Sequence, residues 1–237
     1  MKAMLLAAGR GKRLGPLTEQ TPKPMLNVGG KPLIVHQLQK LTSVGIREIV
    51  INLFHLGTQI EEFLGDGGEY GVDITYSHEH ELLDTGGGIV HALKHLGEAP
   101  FLLHNADIWT DYSFGNVQVG LPDSDLGRLL LHSTPAHRSD GDFFLKNGYL
   151  KRVQENNSPK QRKPYVYCGI AILSPRLFQV PHIQHLLQPN LKPFSLTADL
   201  IFHLLDQRII SGEVFEGEWV DIGSPDQLRA IQSIHGA

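Results

Sequence analysis

The chain is poor in cysteine, in long apolar runs and in clustered positive charge, and each shortage closes off a class of function. Its one cysteine, Cys168, allows no internal disulfide, and its place inside the apolar run Val166 to Leu173 predicts a core thiol. No apolar run reaches the roughly 18 residues of a membrane-crossing helix, so no membrane partner is expected. Lysine and arginine number 21 against 25 aspartates and glutamates, a net charge of -4. Without a basic field a nucleic acid is not an expected partner, and any bound phosphate must be held by local groups. There is no G-x-S-x-G and no Cys-His pairing at a nucleophile signature, which leaves acyl and thiol chemistry without support. Repeats and low-complexity tracts are absent too. Met1-Lys2 runs straight into a strand-like segment with no secretory leader, so a cytoplasmic chain is expected. Of thirteen histidines, His91 and His95 have a metal-like spacing on a predicted helix, but no third ligand accompanies them in a motif.

The first half alternates strand-like and helical patterns. Strands are expected at Ala3–Ala7, Glu48–Leu53, Asp73–Ser77 and Phe101–Asn105, with helices over Pro32–Val44, Thr58–Leu64 and Gly87–Leu96. That is a series of β-α-β units, hence an α/β fold with parallel pairing. From residue 125 the runs shorten: Leu126–His132, Phe143–Leu145, Leu150–Val153 and Tyr165–Leu173 read as antiparallel additions to the sheet, with a polar loop at Asn156–Lys163. A helix over Ser195–Gln207, a strand near Val214 and a helix from Pro225 capped by Ser224 close the chain.

The most informative segment is Leu6-Ala7-Ala8-Gly9-Arg10-Gly11-Lys12-Arg13-Leu14-Gly15-Pro16-Leu17-Thr18, followed by Pro22-Lys23-Pro24. A buried strand ends there in glycines, where a ligand can approach the main chain closely. Arg13 and Lys23 place two cations beside the exposed amides of that turn, a combination suited to a polyphosphate. It is not a dinucleotide fingerprint, because Leu14 stands where the third glycine belongs, nor a P-loop, because Gly11-Lys12 is followed by Arg13. In open α/β sheets, ligands gather at the carboxyl ends of the strands. Asp107, just after the strand Phe101–Asn105, should project toward the same place.

The string L-A-A-G-x-G-x-R-x-x-P-L-T with P-K-P resembles the signature of the sugar-1-phosphate nucleotidyltransferases, and the resemblance runs to about residue 230. It implies one nucleotidyltransferase domain over residues 1–237 without a C-terminal β-helix. The implied fold is a three-layer αβα sandwich on a mostly parallel, mixed, Rossmann-like sheet. Trp219-Val220-Asp221-Ile222-Gly223-Ser224 resembles the family's W-x-D-x-G-[ST] element, so Asp107 and Asp221 are implied ligands of Mg²⁺. Arg13, Lys23 and Asp107 become the catalytic candidates. Ala7, Ala8, Gly9, Gly11, Arg13 and Lys23 would hold the nucleotide phosphates, and Glu79, Gly86 and Gly87 resemble the stretch that reads the base. Thr85 before the glycines would serve equally as a plain helix cap. Asn105, Trp109, Gly141, Glu155 and Gly169 fall where family members line the sugar pocket; Trp109 and Tyr112 would suit the core as well. The family's Lys-Pro after the pocket glutamate is replaced here by Asn156-Asn157, leaving Lys160, Arg162 or Lys163 as cations within reach.

The implied reaction joins an NTP to a sugar 1-phosphate with release of pyrophosphate, in a monomer or weak dimer. Tyr76 to Gly88 and Asn105 to Tyr112 resemble the branch that uses UTP and N-acetylmuramate 1-phosphate in cell-wall recycling. Guanylyl, thymidylyl and cytidylyl transfer are the rivals within the class. A metal-dependent glycosyltransferase would need an Asp-x-Asp that is absent after Asp107, and a non-catalytic nucleotide-sugar sensor should have lost one of Arg13, Lys23, Asp107 or Asp221.

Overall fold

The computed structural model describes residues 1–115, 120–135, 140–153, 164–187 and 191–236. The chain begins with strand β1 (Ala3–Leu6), a 3₁₀ turn at Lys12–Leu14, the short helix α1 (Leu17–Gln20) and a second 3₁₀ turn at Lys23–Met25. A small hairpin, β2 (Asn27–Val28) and β3 (Lys31–Pro32), leads into α2 (Leu33–Ser43). Then come β4 (Glu48–Leu53), α3 (Gly57–Leu64), β5 (Asp73–His78), α4 (Asp84–Leu96), β6 (Phe101–Asn105) and β7 (Ile108–Thr110). The second half holds β8 (Gly127–Ser133), β9 (Phe143–Lys146), β10 (Tyr149–Arg152) and β11 (Tyr165–Leu173), then a helical segment containing α5 (Phe202–Leu204). It closes with β12 (Ile210–Phe215), β13 (Trp219–Asp221) and α6 (Pro225–His235).

Nine strands form one sheet in the order β5-β4-β1-β6-β11-β8-β12-β10-β9. β5, β4, β1 and β6 are parallel, as the β-α-β pattern requires, and β11 turns antiparallel against β6. The second half is not wholly antiparallel: β12 pairs with β8 in parallel, because the helical segment before it carries the chain back across the sheet. Consecutive residues of β1 point to opposite faces, which makes three layers. Ala3 and Leu5 pack with Ile34, Leu38 and Leu41 of α2 and Ile60 of α3. Met4 packs on the other face with Ile89 and Ala92 of α4 and with Leu200 and Leu204. A third cluster joins Leu14 of the glycine turn to Ile222, Leu228 and Ile231, so α6 fastens the segment after Asp221 to the glycine turn.

Several boundaries differ from the sequence pattern. β1 stops at Leu6 because the Ala7 N–H turns to the Asn52 side chain at 2.8 Å instead of joining the sheet. α4 begins at Asp84 rather than Gly87, with three glycines in its first turns, and Leu83 rather than Thr85 occupies the cap. The helix expected over Ser195–Gln207 is a π-helical run, Leu196–Ile201, passing through α5 into a 3₁₀ turn at Leu205–Gln207. Ser224 does cap α6, its hydroxyl accepting from the Gln227 N–H at 3.3 Å, and Cys168 is fully buried.

Candidate active site

The glycine turn lies at the carboxyl ends of β1 and β6, where the sheet order reverses between β4 and β6. Gly11 has φ +62°, and a Cβ there would meet the Thr18 methyl at 2.8 Å, so only glycine fits without displacing the buried Thr18. The Gly11 carbonyl accepts from the Leu14 N–H at 2.8 Å and from the Thr18 hydroxyl at 3.0 Å, which closes the turn. Gly9 instead has open space where its Cβ would stand and faces a cavity of about 450 Å³. Leu6, Ala8, Asn52, Asn105 and Asp107 also line that cavity.

Lys23 is the centre of the charge. Only 7% exposed, it places its ammonium against Asp107 Oδ2 in a close ion pair and 3.6 Å from Asp221 Oδ1. Arg13 lies 3.9 Å from Asp221 Oδ2, its guanidinium against the bare α-carbon of Gly223, where a Cβ would come within 2.8 Å. Burial and the neighbouring Asp107 charge push the Asp221 carboxyl above its ordinary range, opposed by Lys23 and Arg13. Asp107 Oδ1 is buried with no hydrogen-bond partner among the described residues. Three chain segments far apart in sequence thus supply two carboxylates and two cations to one spot. Asp221 and Arg13 also line a second cavity, about 870 Å³, with Trp219, Ser224 and Gln227. The two carboxylate partners of the Lys23 ammonium line one cavity each.

At the other end of the first cavity the arrangement is different. Glu79 is buried, and both of its oxygens are taken: Oε1 accepts from Asn52 Nδ2 at 2.7 Å and Oε2 from the Leu83 N–H at 3.0 Å. Burial pushes its pKa up, against those two hydrogen bonds. Through Asn52 it reaches the Ala7 N–H, so it braces the turn before α4 against the phosphate loop. The Gly86 and Gly87 amides both donate to the Phe194 carbonyl, at 2.9 and 3.3 Å, and the Phe194 ring lies where a Gly86 Cβ would be. Asp84, with φ +59°, and Thr85 present themselves to the cavity instead. Asp84 belongs to the stretch Glu79 to Gly88 that the sequence marks as resembling the base-reading segment; its left-handed conformation is what the structure adds.

The sugar-side candidates divide. Asn105 and Gly169 are brought together: Gly169 has φ +72°, and a Cβ there would lie 2.8 Å from Asn105 Nδ2, at an irregularity in the β11–β8 pairing. Trp109 is not brought to either cavity. Its indole N–H donates to Glu218 Oε2 at 2.9 Å, and its ring sits between His36 and His235, because the pairing of β7 with β13 turns it toward α6. Gly141 packs against Pro164, Thr134 and Tyr165 rather than lining a cavity. Tyr112 is a core residue, its hydroxyl donating to Glu213 at 2.8 Å. Glu155, Lys160, Arg162 and Lys163 lie outside the described residues. His91 meets Ser77 at 3.2 Å, and no group of three or more metal-binding side chains occurs among the described residues.

A pair of carboxylates thus surrounds a buried ammonium beside a glycine turn at a strand end, and the chain belongs to the nucleotidyltransferase family. The Nucleotidyl transferase family model matches residues 2–119. The chain is 40% identical to the N-acetylmuramate alpha-1-phosphate uridylyltransferase of Neisseria meningitidis serogroup B, over 100% of this chain and 99% of that protein. It is 33% identical to the protein of the same description from Caulobacter vibrioides, over 98% and 95% of the two chains. The fold superimposes with a TM-score of 0.83 on a Bacillus anthracis structure assigned as a glucose-1-phosphate thymidylyltransferase, at 24% identity, over 100% of this chain and 95% of that one.

Proposed function

We propose that the protein is a Mg²⁺-dependent N-acetylmuramate 1-phosphate uridylyltransferase, which joins UTP to the sugar 1-phosphate and releases pyrophosphate in cytoplasmic cell-wall recycling. The observation that carries the reaction class is the Lys23 ammonium shared by Asp107 and Asp221 at the mouth of the glycine turn. The phosphate oxygen of a sugar 1-phosphate is already an anion, so it needs no general base to attack the α-phosphorus of a nucleotide. What the protein must supply is alignment and compensation of charge. The amides of the turn and Arg13 hold the polyphosphate, and Lys23 offsets charge on the transferred group. Two cavities, each lined by one carboxylate partner of Lys23, suit a reaction of two substrates.

Mg²⁺ fits the residues present. It favours few carboxylates, retained waters and phosphate oxygens, and Asp107 Oδ1 is a buried acceptor left without a hydrogen-bond partner among the described residues. Asp107 and Asp221 would hold the ion, which when bound supplies positive charge to the phosphates. The choice of UTP and N-acetylmuramate 1-phosphate rests on the full-length likeness to the Neisseria relative. Pyrophosphate release measured with five NTPs against a panel of sugar 1-phosphates tests it. The highest kcat/KM is expected for UTP with N-acetylmuramate 1-phosphate. A preference for GTP with mannose 1-phosphate would overturn the substrate assignment while leaving nucleotidyl transfer standing.

A further inference from the structure

We infer that Glu218 and Trp109 are positioning residues that set the distance between Asp107 and Asp221 from behind, through the ribbon formed by β7 and β13. The inference rests on the reading that these two aspartates hold the metal. β7 and β13 belong to no larger sheet. They pair only with each other, three residues a side, with Asp221 opposite Ile108 and the Ile222 N–H donating to the Asp107 carbonyl at 3.2 Å. This pairing is what registers one aspartate against the other. A two-stranded ribbon of that length is marginal alone, so something must pin it.

Glu218, directly before β13, does so with one carboxylate. Its Oε2 accepts from Trp109 Nε1 at 2.9 Å and lies 2.9 Å from His235 Nε2, reaching β7 and the last residue of α6 together. Its backbone N–H donates to Asp111 Oδ1 at 2.7 Å, and its carbonyl accepts from the Asp111 N–H at 3.1 Å. The Trp109 ring is held edge-on to His36 at 5.0 Å and against His235 at 4.5 Å. Lys40 donates to the Thr110 carbonyl from the other side. None of these groups reaches the cavities; all of them fix the strand pair whose ends carry the carboxylates. Groups that orient metal ligands from behind commonly alter metal affinity by about 10- to 100-fold when removed.

The test uses Mn²⁺ titrated into the full-length protein saturated with UTP, followed by electron paramagnetic resonance, beside amide hydrogen exchange and thermal melting. Trp109→Phe removes one N–H and keeps a ring; Glu218→Gln keeps the shape and removes the charge. Each is expected to weaken Mn²⁺ binding about tenfold and to speed exchange at Ile222 and Asp111, with protection in β1, β4 and β6 unchanged. Trp109→Phe added to Glu218→Gln should cost little more than either alone. Wild-type affinity in Trp109→Phe, with Asp107→Ala unable to bind Mn²⁺, would overturn the positioning role by itself. Asp107→Ala that binds Mn²⁺ like the wild type would overturn the metal assignment, and the ribbon's part in it. A loss of protection throughout the main sheet would also overturn it, by showing a general loss of stability.

Discussion

The two ends of the cavity at the glycine turn use carboxylates in opposite ways. Around Lys23 the charged groups satisfy one another, and Asp107 Oδ1 is left without a hydrogen-bond partner among the described residues. Around Glu79 every carboxylate oxygen is committed to the protein's own N–H groups, and the side chain is sealed from solvent. The first arrangement can exchange partners when phosphates arrive; the second can only hold its surroundings in place. A buried acidic residue beside a substrate cavity is therefore a ligand-reading group only when it has an oxygen to spare.

That contrast can be broken by substitution at each end. Asp107→Ala should leave the fold intact and lower turnover by about a hundredfold or more, the scale of losing one group that stabilises transition-state charge; initial-rate kinetics with circular dichroism decide it. Glu79→Ala should do the reverse. It orphans the Asn52 amide and the Leu83 N–H, at a cost to stability of about 2–4 kcal/mol, visible in chemical denaturation. A stable Glu79→Ala protein with altered base preference would move Glu79 back among the base-reading residues. Asp221→Asn should raise the Mg²⁺ concentration for half-maximal rate by roughly tenfold, and an unchanged requirement would remove Asp221 from the metal site.

The smallest expected effect is a pH dependence. Glu79 has its pKa raised in the folded chain by burial, so folding favours its protonated form. That contribution is present below the ordinary glutamate value and is lost as pH rises through the raised one. The melting temperature of the wild type relative to Glu79→Gln should therefore fall as pH rises above the ordinary glutamate range. A relative rise would mean that the ionised carboxylate is the favoured buried form.

Much of this was legible in the sequence where local chemistry decides. The glycine turn could be read because Gly11 must take a left-handed conformation and Arg13 and Lys23 flank it. Asp107 could be read because it follows a strand whose end is fixed by the β-α-β pattern. Asp221 needed the W-x-D-x-G resemblance, since nothing near it in the chain shows which strand it will pair with. The turning of Trp109 toward α6 depends on β13, over a hundred residues later, and was not legible. Nor was the commitment of Glu79, whose partner Asn52 on β4 meets it only in the folded sheet, while Leu83 closes on it within the turn before α4. The π-helical run at Leu196–Ile201 escaped for a similar reason: Thr85 accepts from the Leu196 N–H at 2.9 Å, so α4 shapes its start.

In the proposed reaction the ammonium between the two aspartates is the working centre of nucleotidyl transfer. Its most direct test is the rate of pyrophosphate release from UTP and N-acetylmuramate 1-phosphate by Lys23→Ala, in Mg²⁺, on protein whose melting curve matches the wild type. The Lys23 assignment requires a rate lower by about a hundredfold or more. A rate near that of the wild type would contradict it.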